Sequence, residues 1–512
     1  MRAARLAIAM LLPVFITGTL PPANAEEAES VETLRKRVES LEDALRRIES
    51  LLLRDRATTT AGKGEGAALE VAGQPEAQAA GSRPPIEEKL EQLDQSVRVL
   101  ARKQEIEQEA AAARGKEAVQ VTADRNGFSL RSADGAFRFR IGGVVQADAR
   151  AFLENEITAG ATDNFLLRRV RPVFEGTFAE KYGFLIRPEF GNQGALSLLD
   201  GYVEARFTPH FRLRGGKFKA PAGLERLQSP SDIAFIERAF PTQLLPNRDI
   251  GFQISGDVLD NRLGYALGWF NGVRDNASAD SDTNSAKDFA ARVFAHPFRK
   301  SESTLVQGFG VGIAVTSGDQ PGSPASSGLP TYLSPGQQTF FSYAAGAFAS
   351  GDRHRWSPQL YHYAGPFGFM AEYAAVSQKV TRAGAQQTVD NRAWQIYATW
   401  VLTGEDATYQ RVTPRQSFDP EKGGWGAFEV GLRVSRLDVD DDVFAGAAGT
   451  RLADPGTSAR SATDVGFALN WYLNRNIKIQ TSYDHTRFDG GAAGSRDAPD
   501  EKVLVTRLQA AF

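Results

Sequence analysis

The sequence contains no cysteine and only five histidines in 512 residues. Without thiols, the chain has no disulfides, thiolate metal sites or cysteine nucleophiles. The histidines show neither HxxxH nor HExxH spacing, and GxSxG is absent, so no zinc site or serine triad can be assigned. The sequence therefore predicts neither an enzyme nor a cofactor or metal. The five histidines are His210, His296, His354, His362 and His485.

Long apolar runs are also missing: no stretch of 18 or more apolar residues follows the first 25 positions. A membrane protein without such helices must be a closed barrel, because lipid cannot satisfy free backbone groups. The N-terminus resembles a secretory signal over residues 1–25, with Arg2 and Arg5, an apolar core and an Ala23-Asn24-Ala25 cleavage site. An anchoring helix is the alternative, although Pro13 interrupts its apolar run.

Residues 26–120 carry two heptad tracts, 31–52 and 86–100, with Val, Leu or Ile at alternating spacings of three and four. This pattern is typical of a coiled coil, and a lone amphipathic helix is the alternative. The connecting segment 58–85 is rich in Ala, Gly, Thr and Pro and is predicted to be a flexible linker. We therefore predict a periplasmic coiled-coil region over residues 26–120. A tether that links the outer membrane to the cell wall is the alternative role for this region.

From about Phe137 to Phe512 the chain alternates apolar and polar residues in segments of barrel-strand length, within a predicted barrel domain of residues 121–512. We predict an all-β fold, a sixteen-stranded transmembrane antiparallel barrel, rather than a soluble sandwich or propeller. The predicted strands lie near 137–152, 165–179, 182–191, 197–208, 211–219, 249–258, 262–272, 287–298, 307–318, 353–364, 367–378, 391–403, 425–437, 463–474, 477–488 and 502–512. Short and long connections alternate, as in barrels with periplasmic turns and outer loops, except that 404–424 is long where a turn is expected.

Alternation along the first five strands assigns one set of side chains to lipid and the other to the lumen. The predicted lumen set contains a row of arginines. Lys217 and Lys219 follow with the opposite parity, and a bulge at Gly215-Gly216 would return both to the lumen and turn Phe218 to lipid. The row comprises Arg138, Arg140, Arg169, Arg171, Arg187, Arg206, Arg212 and Arg214.

Basic residues concentrate in this part of the barrel. Residues 121–248 hold 18 Lys and Arg against 14 Asp and Glu, whereas residues 249–512 hold 24 against 28. Arginine suits oxyanions such as phosphate, and rings of basic side chains select anions in pores. The alternative is that the charges only pair across the wall, for example Arg187 with Glu204 or Arg171 with Glu189.

The connection 220–248 is too apolar for an exposed loop, since Leu224, Leu227, Phe235 and Ile236 need burial. We predict that it folds into the barrel and narrows it, with a loop covering the rim as the alternative. An inward loop would bring Arg226, Arg238 and Arg248 to the permeation path.

The acidic run 438–442 lies in a predicted outer loop. It is either a solvated loop, a site where a cation bridges to lipopolysaccharide, or a calcium site.

Three segments carry a family resemblance: 216–225 (GKFKAPAGLE), 235–251 (with FIERAFP and NRDIG) and 355–373 (with RWSPQLY, GPFG and AEY). In order and spacing they resemble the phosphate-selective porins O and P. The N-terminal coil is similar to the periplasmic extension of some dicarboxylate-type channels.

The resemblance implies a homotrimeric anion channel in the outer membrane of a Gram-negative-type cell, in contact with lipid and lipopolysaccharide and without nucleic-acid partners. It implies that Lys217, Lys219, Arg226, Arg238 and Arg248 guide phosphate or polyphosphate through the constriction, with the arginine row leading to it. A general or dicarboxylate-type diffusion porin, a structural tether and a receptor using the outer loops are the alternatives.

Overall fold

The computed structural model describes residues 86–117, 119–124, 127–153, 162–191, 196–282, 284–494 and 496–512. The signal segment, the first heptad tract and the linker lie outside these residues. The second heptad tract lies in helix α1 (Ile86–Glu117), where Val97 and Leu100 expose 56% and 64% of their surface. In the described part of the chain, no helix is both long and apolar enough to cross a membrane.

The main body is a closed antiparallel barrel of sixteen strands, as predicted. Its last strand pairs with its first, from Val503 opposite Phe152 to Ala511 opposite Val144. The barrel strands are β3 (Arg138–Phe152), β4 (Asn164–Phe178), β5 (Tyr182–Glu189), β6 (Ser197–Thr208), β7 (Phe211–Lys219), β8 (Arg248–Val258), β9 (Leu263–Phe270), β10 (Asp288–Ala295), β11 (Phe309–Pro321), β14 (Phe348–Ala364), β15 (Phe367–Arg382), β16 (Ala385–Val401), β17 (Ala427–Asp438), β18 (Ala459–Tyr472), β19 (Ile477–Ala492) and β21 (Glu501–Ala511).

A short hairpin precedes the barrel and was not predicted. Strands β1 (Gln120–Asp124) and β2 (Gly127–Arg131) pair with each other, and β2 pairs with the start of β3, placing Phe128 opposite Ile141. Phe512 exchanges backbone hydrogen bonds with Gly143, just beyond this pairing. The hairpin therefore continues the wall where β21 ends, which satisfies the backbone at the start of β3.

The remaining short elements lie in connections. Helix α2 (Leu224–Leu227) and a 3-10 helix (Phe240–Leu244) belong to the connection 220–247, which we call the inward loop. Strands β12 (Thr331–Leu333) and β13 (Thr339–Ser342) form a hairpin in 322–347. Helix α3 (Thr304–Gln307), a 3-10 helix (Asp441–Phe444) and strand β20 (Arg496–Asp497) complete the set of described elements.

The inward loop packs inside the barrel, which confirms the prediction. Ile233, Phe235, Ile236 and Phe240 are at most 2% exposed. Its backbone is held by polar side chains of the far wall: Arg507 donates to the Ile236 carbonyl at 2.9 Å, and Asn470 donates to that of Ala234 at 3.0 Å. Leu227, predicted to be buried, remains partly exposed.

Loops fill one side of the lumen and leave the other side open. Lumen-facing residues of the filled side, such as Arg355, Gln395 and Arg433, are 1–2% exposed. Toward the short-turn end of β3 and β6, by contrast, the side chains of Arg140 and Arg206 are 43% and 52% exposed. Water therefore reaches the basic side of the lumen at this end of the barrel.

The unusual long connection, 402–426, lies at the short-turn end and also turns inward. The Tyr409 ring stacks on Tyr361 with centroids 5.1 Å apart, and its hydroxyl donates to the Leu224 carbonyl at 2.6 Å. Gln228 donates in return to the Tyr409 carbonyl at 2.6 Å. The connection 402–426 thus packs against the inward loop from the short-turn end of the barrel.

We expect Tyr409→Phe, which removes only the hydroxyl, to cost about 1 kcal/mol of barrel stability. Tyr409→Ala also removes the ring from its packing and should cost more, about 3 kcal/mol. The temperature at which the folded barrel unfolds in detergent measures both. Equal, negligible effects would show that this connection does not support the inward loop.

Candidate functional site: a basic constriction in the barrel

The inward loop and the basic wall enclose a cavity of about 180 Å³, which we call the constriction cavity. Its lining includes seven cationic side chains and a single carboxylate, that of Glu237. Four of the cations come from the end of β7, the inward loop and the start of β8, and three come from β4. The seven are Arg168, Arg169, Arg171, Lys219, Arg226, Arg238 and Arg248.

Three of these cations are held by neutral oxygens rather than carboxylates. Lys219 donates to the Gln228 carbonyl at 2.8 Å, and Arg238 donates to the same carbonyl at 2.8 Å and to that of Glu225 at 3.0 Å. Arg226 donates to the Asn276 side-chain oxygen at 2.7 Å and to the Thr242 carbonyl. Within the described residues, none of the three has a carboxylate within ion-pair distance.

This arrangement leaves positive charge uncompensated in a confined space. Burial, together with the nearby Arg238 and Arg248, lowers the pKa of Arg226 to about 9. A buried cation without a counter-charge is costly, so an anion entering this cavity would be favoured. Arginine forks match the planar or tetrahedral oxygens of carboxylate and phosphate.

Glu237 organises the arginines on one side of the cavity. Its carboxylate accepts from Arg168 at 2.7 and 3.1 Å and from Arg150 at 3.2 Å. Arg507 and Arg169 lie at 3.5 and 3.7 Å from the same group. These contacts join the inward loop to β3, β4 and β21, so Glu237 both anchors the loop and partly neutralises the cavity.

Two wider cavities continue the path toward the short-turn end. The middle cavity, of about 410 Å³, shares Lys219 and Pro230 with the constriction cavity. The mouth cavity, of about 340 Å³, shares Leu185 and Tyr202 with the middle one. The three cavities are therefore neighbours along one side of the barrel, and each has basic side chains in its lining.

The predicted site residues distribute along this path. Lys219, Arg226, Arg238 and Arg248 meet in the constriction cavity with Arg169 and Arg171 of the arginine row. Of the remaining row, Arg187 and Arg214 line the middle cavity, and Arg138, Arg140 and Arg206 line the mouth cavity. Arg212 pairs with Asp257 and lines none of the three.

Lys217 does not join the constriction cavity. It pairs with Asp280 of the loop 271–287. The predicted bulge is absent, since β7 keeps a continuous register with β8 from Arg212 to Lys219. The prediction that Phe218 faces lipid is also wrong. Its side chain is 1% exposed, and its ring makes an edge contact with the ring of Tyr202. Lys219 reaches the cavity because the strand ends there and the chain turns into the inward loop.

A bulge does occur, but in β4. Gln146 lies opposite Arg169 and Ala147 opposite Leu167, so Arg168 is the extra residue. The bulge allows Arg168 and Arg169 both to reach Glu237. Strict alternation would place the Arg168 side chain on the lipid face, and no glycine or proline at this position marks the bulge.

Several arginines also pair across the wall. Arg171 lies 2.5 Å from Glu189, as predicted, whereas Arg187 pairs with Asp200 at 2.8 Å rather than with Glu204. The register explains this difference, because Arg187 lies opposite Asp200 and Glu204 opposite Gly183. Wall pairing and uncompensated charge therefore coexist.

The described residues contain no group of three or more acidic or histidine side chains placed to hold a metal. In the outer loop, Asp440 accepts from the Asp442 amide at 3.0 Å and from that of Asp390 at 2.7 Å, and Asp441 pairs with Arg460 at 3.1 Å. The carboxylates of Asp440 and Asp441 are therefore engaged in contacts within the protein.

A closed barrel with a loop folded into it and a series of cavities along one side is the architecture of a porin. The profile of the family described as phosphate-selective porin O and P matches residues 139–512, so the chain belongs to this family. It is a porin, a channel of the outer membrane.

Among characterised relatives, Porin O of Pseudomonas aeruginosa is 25% identical over 427 residues, covering 76% of this chain and 91% of the relative. Among solved structures, the channel DcaP of Acinetobacter baumannii aligns with 12% identity, a TM-score of 0.46 and coverage of 74% and 98%. The anion-selective porin of Comamonas acidovorans aligns with 12% identity, a TM-score of 0.47 and coverage of 73% and 100%.

Proposed function

We propose that this porin conducts small anions passively across the outer membrane and that the constriction cavity binds phosphate or a similar oxyanion during passage. The observation that carries the proposal is the meeting of seven cations around about 180 Å³ with one carboxylate. The family description, phosphate-selective porin O and P, supports the same solute class.

Phosphate is a better match for this cavity than chloride. Lys219, Arg226 and Arg238 lack a carboxylate partner within the described residues and donate to carbonyl and amide oxygens instead. Phosphate presents several charged oxygens that can replace such acceptors, whereas chloride presents one diffuse acceptor. The middle and mouth cavities, which are larger and also contain basic side chains, would then bind the anion weakly and let it pass.

Inhibition of chloride current by phosphate tests the proposal. We expect phosphate, added to a single channel in a planar bilayer, to reduce chloride current in a saturable way. Sulfate should act similarly, and the neutral solute glycerol should not. Linear, unsaturable currents for all anions would leave a diffusion pore without an oxyanion site and would contradict the proposal.

The protein works as a homotrimer joined in part through its N-terminal coil. Support comes from α1, where Val97, Leu100 and Ile106 are more than half exposed and need a partner surface. We expect a chain lacking residues 26–118 to insert as a barrel of unchanged conductance, because the barrel closes on itself. Cross-linking would then report whether the coil or the wall holds the trimer, and a monomeric full-length protein would contradict the assignment.

A further inference from the structure

The middle cavity differs in chemistry from the constriction cavity above it. Of the fifteen residues lining the constriction cavity, only Pro230 and Leu333 are apolar. The middle cavity has more than twice the volume, about 410 Å³, and a mixed lining. Its apolar and aromatic members are Leu185, Tyr202, Phe218, Pro221, Leu227, Pro230 and Ala266.

Some of this apolar surface is open to the lumen. Leu227 and Ala266 are partly exposed, although the inward loop buries its other large apolar side chains. Apolar surface facing water costs free energy in proportion to its area, and an apolar ligand would remove that cost.

The same cavity offers two cations without a carboxylate partner. Lys219 is held by the carbonyls of Leu227 and Gln228. Arg292 donates to the Gln359 side chain at 3.0 Å and lies 4.5 Å over the Phe294 ring. No carboxylate of the described residues lies within ion-pair distance of either. The other two cations, Arg187 and Arg214, are paired with Asp200 and Glu204. Asp200 is the one carboxylate in the lining, and Arg187 at 2.8 Å and Arg248 at 3.1 Å neutralise it.

We infer that the middle cavity is a binding site for organic carboxylates with an apolar or aromatic body. The carboxylate would bind between Lys219 and Arg292, and the body would lie against Tyr202 and Leu227. The inference rests on the proposed function, because an anion must first be admitted by the channel, and it extends the solute class from inorganic oxyanions to organic ones.

Competition in the native trimer tests this site. Benzoate and acetate carry the same charge at neutral pH and differ in their apolar body. We expect benzoate to halve single-channel chloride current at a concentration at least tenfold lower than acetate does. Equal half-blocking concentrations, with chloride still preferred over potassium, would overturn this inference and leave the proposed function intact. Loss of chloride preference would instead contradict the proposed function.

A matched pair of variants locates the site. Leu227→Ser should raise the half-blocking concentration of benzoate severalfold and leave that of phosphate unchanged. Leu333→Ser makes the same change in the constriction cavity and should leave the benzoate-to-acetate ratio as in the native protein. If Leu227→Ser altered phosphate and benzoate block equally, or if Leu333→Ser reproduced its effect, the middle cavity would not be the site.

Discussion

Lys219→Glu is expected to lower the chloride-to-potassium permeability ratio by about tenfold or more. This corresponds to a change of about 1.4 kcal/mol in the difference between the free-energy barriers for the two ions. The ammonium lines both the constriction and the middle cavity. A charge in the smallest of the three cavities lies close to every ion that passes, so its reversal should outweigh changes in the larger mouth cavity. Reversal potentials in a salt gradient measure the ratio.

Lys217→Glu is the matched control, since it makes the same substitution two residues away on the same strand. Lys217 pairs with Asp280 and lines none of the three cavities, so we expect little change in selectivity. Arg138→Glu in the mouth cavity should have a small effect that disappears at high salt. Equal effects of all three substitutions would place the constriction elsewhere.

Glu237→Gln should have the second large effect, in the opposite direction. The substitution removes the single carboxylate of the constriction cavity and leaves the guanidinium group of Arg168, which lines that cavity, without its ion-pair partner. We expect stronger preference for anions and phosphate block at about tenfold lower concentration, because one charge is removed at short range. Titrating phosphate against chloride current in the variant measures this effect.

Glu237→Asp keeps the charge and serves as the control, with phosphate block close to that of the native channel. A fall in anion preference with Glu237→Gln would contradict this account of the cavity. It would mean that Glu237 matters mainly as the anchor that joins the inward loop to Arg168 and Arg507.

The sequence predicts the wall of this barrel well because lipid imposes the alternation directly. Each predicted strand corresponds to an observed one, and several bounds agree closely, such as 197–208 for Ser197–Thr208. The inward position of the loop was predictable for a similar reason, since apolar side chains such as Phe235 and Ile236 must be buried.

The interior of the site was less predictable because it depends on contacts between distant segments. The bulge at Arg168 breaks the alternation without a glycine or proline to mark it. The role of Glu237 depends on Arg150, Arg168 and Arg507, which come from three different strands. The hairpin 120–131 was missed because it is short and takes its pairing from β3.

The ion preference of the native channel tests the central claim most directly. In a planar bilayer with a potassium chloride gradient, the sign of the reversal potential tells which ion crosses more readily. We predict a potential that favours chloride, and a larger preference at low salt because screening weakens with dilution. A potential that favours potassium would contradict the claim that the uncompensated cations of the constriction cavity govern passage.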